Sequence, residues 1–225
     1  MRQLVGSANA AAWIAEDLGQ LAGFAVVEWA EESGALIAYI QTIEVAAQHR
    51  GKGVGRELLR GIEDAGEMIL NALREDGRIF LAGNGGSAAC AQHVAAKFLG
   101  QNQIKRRALP AMALAANTSA VTSIGNDYGF DQVFARQIEA FARPGDVLVA
   151  ISASGGSRNI LRAALMASAL RVKTIAWTGS AGGKLKNAAD LCLCVPSREM
   201  MRIQEAHVLL GHTILAFVEA GLLRQ

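Results

Sequence analysis

Residues 78–87 read RIFLAGNGGS, and this stretch decides the fold. The apolar run from Ile79 to Ala82 predicts a buried strand, and a helical spacing of apolar residues begins directly after Ser87. A glycine turn between a strand and a helix start surrounds a small space with backbone N–H groups. The stretch therefore predicts an anion-binding turn.

A second turn of the same kind occurs further along the chain. Residues 146–151 read DVLVAI, and SASGGS follows at 152–157. Ligands of parallel sheets bind at the carboxyl ends of the strands, which is where both turns are predicted to lie. Together they predict a pocket for a phosphorylated small molecule.

From residue 76 onward, strand-like and helix-like segments alternate. This alternation indicates a three-layer α/β fold, in which helices cover both faces of a parallel sheet. The predicted strands are 78–83, 109–115, 146–152, 172–178 and 191–195. The predicted helices are 87–99, 117–125, 130–142, 157–170 and 199–222.

The first part of the chain has a different pattern. Segments at 23–30 and 35–46, joined by a turn, predict an antiparallel β-hairpin. An unbroken helical spacing over about 53–75 predicts one helix shared with the second part. We divide the chain into a segment of residues 1–62 and a domain of residues 63–225.

Composition narrows the classes of function. The chain has 225 residues, is 52% hydrophobic and carries a net charge of +2, which gives no argument for a nucleic-acid or membrane partner. The basic run at 105–107 is interpreted as a solvated loop. We identify no apolar run near the roughly 20 residues that span a bilayer.

The three cysteines indicate a reducing compartment. An odd number, without a recognisable signal peptide, predicts free thiols and a cytoplasmic protein. Cys192 and Cys194 alternate along a predicted strand, so we interpret them as core-filling residues rather than metal ligands.

Six motifs carry a family resemblance. They are GNGGSAACAQH (83–93), LPAMAL (109–114), GNDYGF (125–130), RPGDVLVAISASGGS (143–157), TGSAGGK (178–184) and RIQEAHVLLGH (202–212). In this order they resemble the bacterial phosphoheptose isomerases, which have the SIS fold with a five-stranded parallel sheet. The resemblance implies an aldose–ketose isomerase acting on sedoheptulose 7-phosphate, which supplies heptose for lipopolysaccharide. It also implies a homo-oligomer, a tetramer or a dimer, with His93 and His212 of neighbouring chains meeting at an interface.

The resemblance assigns substrate contacts residue by residue. The first turn, the second turn and two further positions would contact the sugar phosphate: Asn84, Gly85, Gly86, Ser87, Ser152, Ala153, Ser154, Ser157, Asp127 and Gln204. Helix capping is the alternative role for Ser87 and Ser157, and it is compatible with anion binding.

The resemblance also implies the catalytic and metal-binding residues. His212 matches the catalytic histidine, and His93, position 97, Gln204 and His212 match a zinc site. Position 97 is lysine here, where the family has glutamate. An ammonium repels Zn²⁺, so we expect zinc far below one ion per chain and impaired proton transfer of the family type. Lys97 could instead act as a base or hold an enediolate by its charge.

Two other features bear on binding. Gln101 stands where the family has a phosphate-facing arginine, which is expected to weaken binding. Residues 38–46 followed by QHRGKGVG at 48–55 resemble the acetyl-CoA motif of GNAT acetyltransferases. That resemblance covers about 60 residues, less than half of a whole GNAT domain, so we interpret it as a structural remnant and do not expect acetyl-CoA as a cofactor.

Three functions follow from these patterns. His212 favours a sugar-phosphate isomerase, the leading hypothesis. Lys97 favours a non-catalytic SIS module that binds a sugar phosphate or a protein such as the replication initiator. The motif at 48–55 favours an acyl-CoA-binding fusion.

Overall fold

The computed structural model describes residues 10–17, 20–32, 35–45, 54–100 and 104–223, with side chains from residue 60 onward. The strands are β1 (Ala10–Asp17), β2 (Gln20–Glu32), β3 (Ala35–Val45), β4 (Ile79–Gly83), β5 (Ala111–Ala113), β6 (Val147–Ile151), β7 (Lys173–Thr178) and β8 (Leu191–Cys194). The α-helices are α1 (Val54–Arg74), α2 (Gly86–Leu99), α3 (Thr118–Tyr128), α4 (Ala135–Phe141), α5 (Arg158–Ala169) and α6 (Met200–Leu223). Short 3-10 helices occur at Phe130–Gln132 and Lys184–Asn187.

Strands β4 to β8 form one parallel sheet in the order β5-β4-β6-β7-β8. This confirms the predicted α/β fold with a five-stranded parallel sheet. The strand order reverses direction at β4, because β5 lies on one side of it and β6 on the other. Gly83 at the end of β4 pairs with Ile151 at the end of β6. Such a reversal is where open α/β sheets usually bind their ligands.

Helices cover both faces of this sheet because the central strands are apolar on both sides. Leu81 of β4 packs in the core shared with α1, α2 and α6. Phe80, its neighbour on the same strand, points into the core shared with α4 and α5. β4 and β6 are buried along their whole length, as expected for the middle of a three-layer fold.

The first three strands form a separate antiparallel sheet in the order β1-β2-β3. The predicted hairpin is confirmed, since Glu32 of β2 pairs with Ala35 of β3. β1 was not predicted, because its alanine-rich start lacks the β-branched residues typical of strands. α1 is continuous from Val54 to Arg74, which confirms the predicted long helix.

The side chain of Arg106 is buried, so the interpretation of the basic run as a solvated loop is wrong at this residue. Its guanidinium forms an ion pair of 2.8 Å with Glu219 of α6, and the two side chains are 6% and 0% exposed. It also donates hydrogen bonds to the carbonyl oxygens of Lys97 and Phe98 in the last turn of α2. Carbonyl groups at a helix end lack partners within the helix, and an arginine with five N–H donors can satisfy several of them.

By length and composition, α6 could cross a membrane. The expectation that the chain has no apolar stretch of that length is therefore wrong. Several apolar side chains of α6, among them Ile214 and Leu215, are buried against α1, α2 and the sheet. Because α6 also carries the buried Glu219, we interpret it as a core helix.

Candidate functional site

The two glycine turns border one cavity of about 310 Å³ at the carboxyl ends of β4 and β6. Its lining comes from the first turn, the end of β6, the second turn and the start of α6: Asn84, Gly85, Gly86, Ser87, Ile151, Ser152, Ala153, Ser154, Ser157, Met200 and Gln204. The structure therefore brings together every predicted substrate-contacting residue except Asp127.

A larger cavity of about 480 Å³ lies at the opposite edge of the sheet, beside the amino ends of β6 and β7. Its charged lining includes Lys173 and Asp190, which form an ion pair of 2.6 Å with each other. The smaller cavity is the better candidate, because both anion-binding turns border it.

A pair of asparagines joins the two turns. Asn84 of the first turn and Asn159 at the start of α5 exchange amide hydrogen bonds of 2.9 and 2.8 Å. Asn159 is buried. Asn159 was not predicted from the sequence, although an asparagine in the first turn of a helix that follows a serine-rich turn is a recognisable signal.

The serine hydroxyls of the second turn form their own cluster. Ser152 Oγ donates to Ser157 Oγ at 3.1 Å, and the N–H of Gly156 donates to Ser154 Oγ at 3.2 Å. Ser157 occupies the N-cap position of α5 but makes no capping hydrogen bond with its side chain. The N-cap residue of α2 is Gly85, not Ser87. Helix capping is therefore the wrong interpretation for both serines, and the start of α5 has no side-chain cap between it and an anion.

The loop after β7 packs directly against the second turn. Gly155 has φ +61°, and a Cβ atom at this position would collide with the carbonyl oxygen of Gly182. The N–H of Leu185 donates to Gly155 O at 2.9 Å, and the N–H of Gly179 donates to Ala153 O at 2.8 Å. The TGSAGGK motif at 178–184 thus fixes the shape of the serine turn.

Helices α2 and α6 run side by side in the same direction, away from the cavity. Gln204 lies against Gly86 and Val94 lies against Gly211, and a Cβ atom on either glycine would collide with its neighbour. Beside the contact between Val94 and Gly211, His93 Nε2 and His212 Nε2 are 2.7 Å apart. The two histidines therefore meet within one chain, which corrects the expectation that they meet from neighbouring chains.

The histidine pair has a cationic neighbour. Lys97 lies one helical turn after His93 and is half-buried. Burial lowers the pKa of His212 below its ordinary value, and the charges of His93 and Lys97 lower it further. His212 is thus neutral near pH 7, the form in which an imidazole can accept a proton.

These residues do not fit a catalytic zinc ion. Such a site takes three protein ligands, usually nitrogen, sulfur or carboxylate oxygen. Among the residues that the structure describes, no three His, Cys, Asp or Glu side chains gather in this way. Lys97 cannot serve as the third ligand in its charged form, and Gln204 lies against Gly86.

Other predicted positions lie away from the cavity or fall outside the described residues. Asp127 is exposed near the end of α3, where its carboxylate accepts a hydrogen bond of 2.8 Å from Asn126. Gln101 and residues 48–53 fall outside the described ranges. Met200, which lines the cavity, was not predicted.

Comparison with known proteins gives a consistent result. A model of the SIS domain matches residues 38–179. The phosphoheptose isomerase of Nitratiruptor sp. is 44% identical over 184 residues, covering 82% of this chain and 98% of that protein. The phosphoheptose isomerase of Aquifex aeolicus is 48% identical over 158 residues, covering 70% of this chain and 83% of that protein.

Solved structures extend this similarity to the fold. A phosphoheptose isomerase from Francisella tularensis has a TM-score of 0.69 at 37% identity, covering 72% of this chain and 89% of its own. The phosphoheptose isomerase of Neisseria gonorrhoeae has a TM-score of 0.65 at 41% identity, covering 77% and 99%.

Proposed function

Because the chain belongs to the phosphoheptose isomerases, a family of SIS-domain proteins, we propose that it interconverts sedoheptulose 7-phosphate and its aldose isomer. The observation that carries the proposal is the single cavity bordered by both glycine turns and by Gln204. The family membership supplies the substrate, and the cavity supplies groups suited to a phosphorylated sugar.

The second turn binds the phosphate in this proposal. Ser152, Ser154 and Ser157 present hydroxyl groups, and the start of α5 adds backbone N–H groups and the positive end of the helix dipole. The first turn and Gln204 hold the sugar on the other side of the cavity. The two hydrogen bonds between Asn159 and Asn84 fix the position of the first turn relative to the second.

The histidine pair moves the proton. Isomerisation removes a proton from C1 of the ketose, passes through an enediol and returns a proton to C2. His212 is the catalytic base because it is neutral and half-buried, and His93 exchanges a proton with it across 2.7 Å. The positive charge of Lys97 stabilises the enediolate electrostatically, in a position where the family has a carboxylate.

The protein is further proposed to form a homo-oligomer and to be located in the cytoplasm. Large apolar side chains are exposed on α2, α3 and α6, among them Leu99, Tyr128 and Met201. A homo-oligomer, a tetramer or a dimer, would bury such residues. The three free cysteines are compatible with the reducing cytoplasm.

The alternatives have less support. Lys97 still favours a binding module without turnover, but the relatives at 44–48% identity are isomerases. An acyl-CoA-binding function would depend on residues 48–55, and the SIS match begins earlier, at residue 38. We do not extend the proposal to acetyl-CoA.

Proton NMR with sedoheptulose 7-phosphate as substrate tests the proposal. The aldose should appear with the phosphorylated sugar and not with unphosphorylated sedoheptulose. Binding of the sugar phosphate without any aldose would support the non-catalytic module instead.

A further inference from the structure

Two thiols on the outermost strand of the parallel sheet lie outside the proposed isomerisation. Cys192 and Cys194 belong to β8, the last strand in the order of the sheet. Their sulfur atoms are 3.6 Å apart, and the Thr178 hydroxyl lies 3.6 Å from the first and 3.4 Å from the second. The interpretation of both cysteines as core-filling residues is wrong for Cys194, which is exposed.

The surroundings make Cys194 the more nucleophilic thiol. The hydrogen bond with Cys192 lowers the pKa of Cys194, and the Thr178 hydroxyl and the Lys186 charge lower it further against the effect of partial burial. The same hydrogen bond raises the pKa of Cys192. Burial on α2 raises the pKa of Cys90 to about 12. Since the thiolate is the reactive form, Cys194 is the expected nucleophile and Cys90 is expected to be inert.

We propose that Cys192 and Cys194 form a redox-active dithiol that reduces a hydroperoxide and becomes an intrachain disulfide. The Cys194 thiolate attacks the terminal oxygen of the peroxide, the O–O bond breaks, and the other oxygen leaves and takes up a proton as an alcohol or water. Cys194 is then a sulfenic acid. The Cys192 thiol attacks its sulfur, the S–S bond forms, and the hydroxyl group leaves as water with the proton from Cys192.

The backbone allows this bond to form. Residues two apart on a strand have Cα atoms about 6.6 Å apart, and disulfides span Cα distances up to about 6.8 Å. The two sulfur atoms need to approach from 3.6 Å to a bond length of about 2.05 Å. Among the strands that the structure describes, β8 pairs only with β7, at the end of the strand order, so it can adjust without displacing another of them.

The test exposes the reduced full-length protein to one equivalent of hydrogen peroxide and maps the products by mass spectrometry. The peptide that holds both cysteines should lose two hydrogen atoms, Cys90 should stay reduced, and dithiothreitol should reverse the change. Glutathione under the same conditions provides the reference rate, and the dithiol should react at least about tenfold faster, in keeping with its thiolate character.

Two variants separate the roles of the sulfur atoms. Cys192→Ser should stop at the sulfenic acid, which dimedone traps on Cys194. Cys194→Ser should abolish the fast reaction, and circular dichroism should show that both variants are folded. The proposal is overturned if the pair reacts no faster than glutathione, or if oxidation gives only disulfides between chains or sulfinic acid.

Discussion

Asn84 and Asn159, which are 75 residues apart, exchange two amide hydrogen bonds and thereby join the two turns of the candidate site. Each amide uses one donor and one acceptor in this pair. The pair fixes the position of the first turn relative to the start of α5. The distance between the two halves of the cavity thus depends on a residue that does not line it.

Asn159→Ala should weaken both substrate binding and stability. Loss of the buried partner leaves the Asn84 amide without its reciprocal bonds, which should lower the free energy of unfolding by about 1–3 kcal/mol. KM for the sugar phosphate should rise severalfold, because the first turn loses its support. Urea unfolding and steady-state kinetics measure the two effects. Asn187→Ala, at an exposed asparagine, is the control, and an unchanged KM in Asn159→Ala would show that the pair does not position the site.

Ser157→Ala should reduce phosphate affinity with little effect on folding. A hydrogen bond to a charged group contributes about 1.5–3 kcal/mol, which corresponds to a rise of roughly 10- to 100-fold in KM or in the inhibition constant of inorganic phosphate. Ser168→Ala changes an exposed serine on the same helix and should alter neither constant. Equal constants in the two variants would contradict phosphate binding by the second turn.

Lys97→Glu should convert the histidine pair into a zinc site. The carboxylate provides a third ligand beside His93 and His212, so the variant should retain about one zinc ion per chain, whereas the unmodified protein should retain far less. Isomerisation should become faster when zinc is supplied. Elemental analysis and the NMR assay measure the two effects, with Lys105→Glu as the control at an exposed lysine. Stoichiometric zinc in the unmodified protein, or an unchanged rate in the variant, would contradict this account of Lys97.

His207 should make stability depend on pH. Burial lowers its pKa from 6.5 to about 4, although Nε2 donates a hydrogen bond to the carbonyl oxygen of Thr178. Between these values the unfolded chain binds more protons than the folded protein, so stability decreases as the pH falls through this window. The contribution of His207 to the free energy of unfolding should decrease by about 2 kcal/mol between about pH 7.5 and about pH 5.

His207→Gln keeps a donor for Thr178 but does not titrate, so it should lack this part of the pH dependence. Urea unfolding of both proteins at the two pH values isolates the difference, because the other titrating groups are common to both. Equal pH dependence in the two proteins would mean that His207 is not held neutral by burial.

The parallel sheet and both turns could be predicted from the sequence because they depend on local patterns. The apolar strands β4 and β6 are buried on both faces, so continuous apolar runs identify them. Glycine-rich turns mark the points where these strands end. The order of the motifs then identified the family.

Long-range contacts could not be predicted in the same way. The burial of Arg106 depends on Glu219, which is 113 residues away. The close approach of α2 and α6 depends on Gly86 and Gly211, whose lack of side chains matters only once the helices are packed. The contact between His93 and His212 within one chain follows from that packing.

Deuterium exchange during isomerisation tests the central claim most directly. Sedoheptulose 7-phosphate is incubated in D₂O with the unmodified protein or with His212→Gln, and proton NMR follows deuterium incorporation and aldose formation. The account predicts both events with the unmodified protein and a rate at least about 100-fold lower with the variant, which is the usual contribution of a positioned base. Neither event with the unmodified protein, or equal rates in the two proteins, would contradict it.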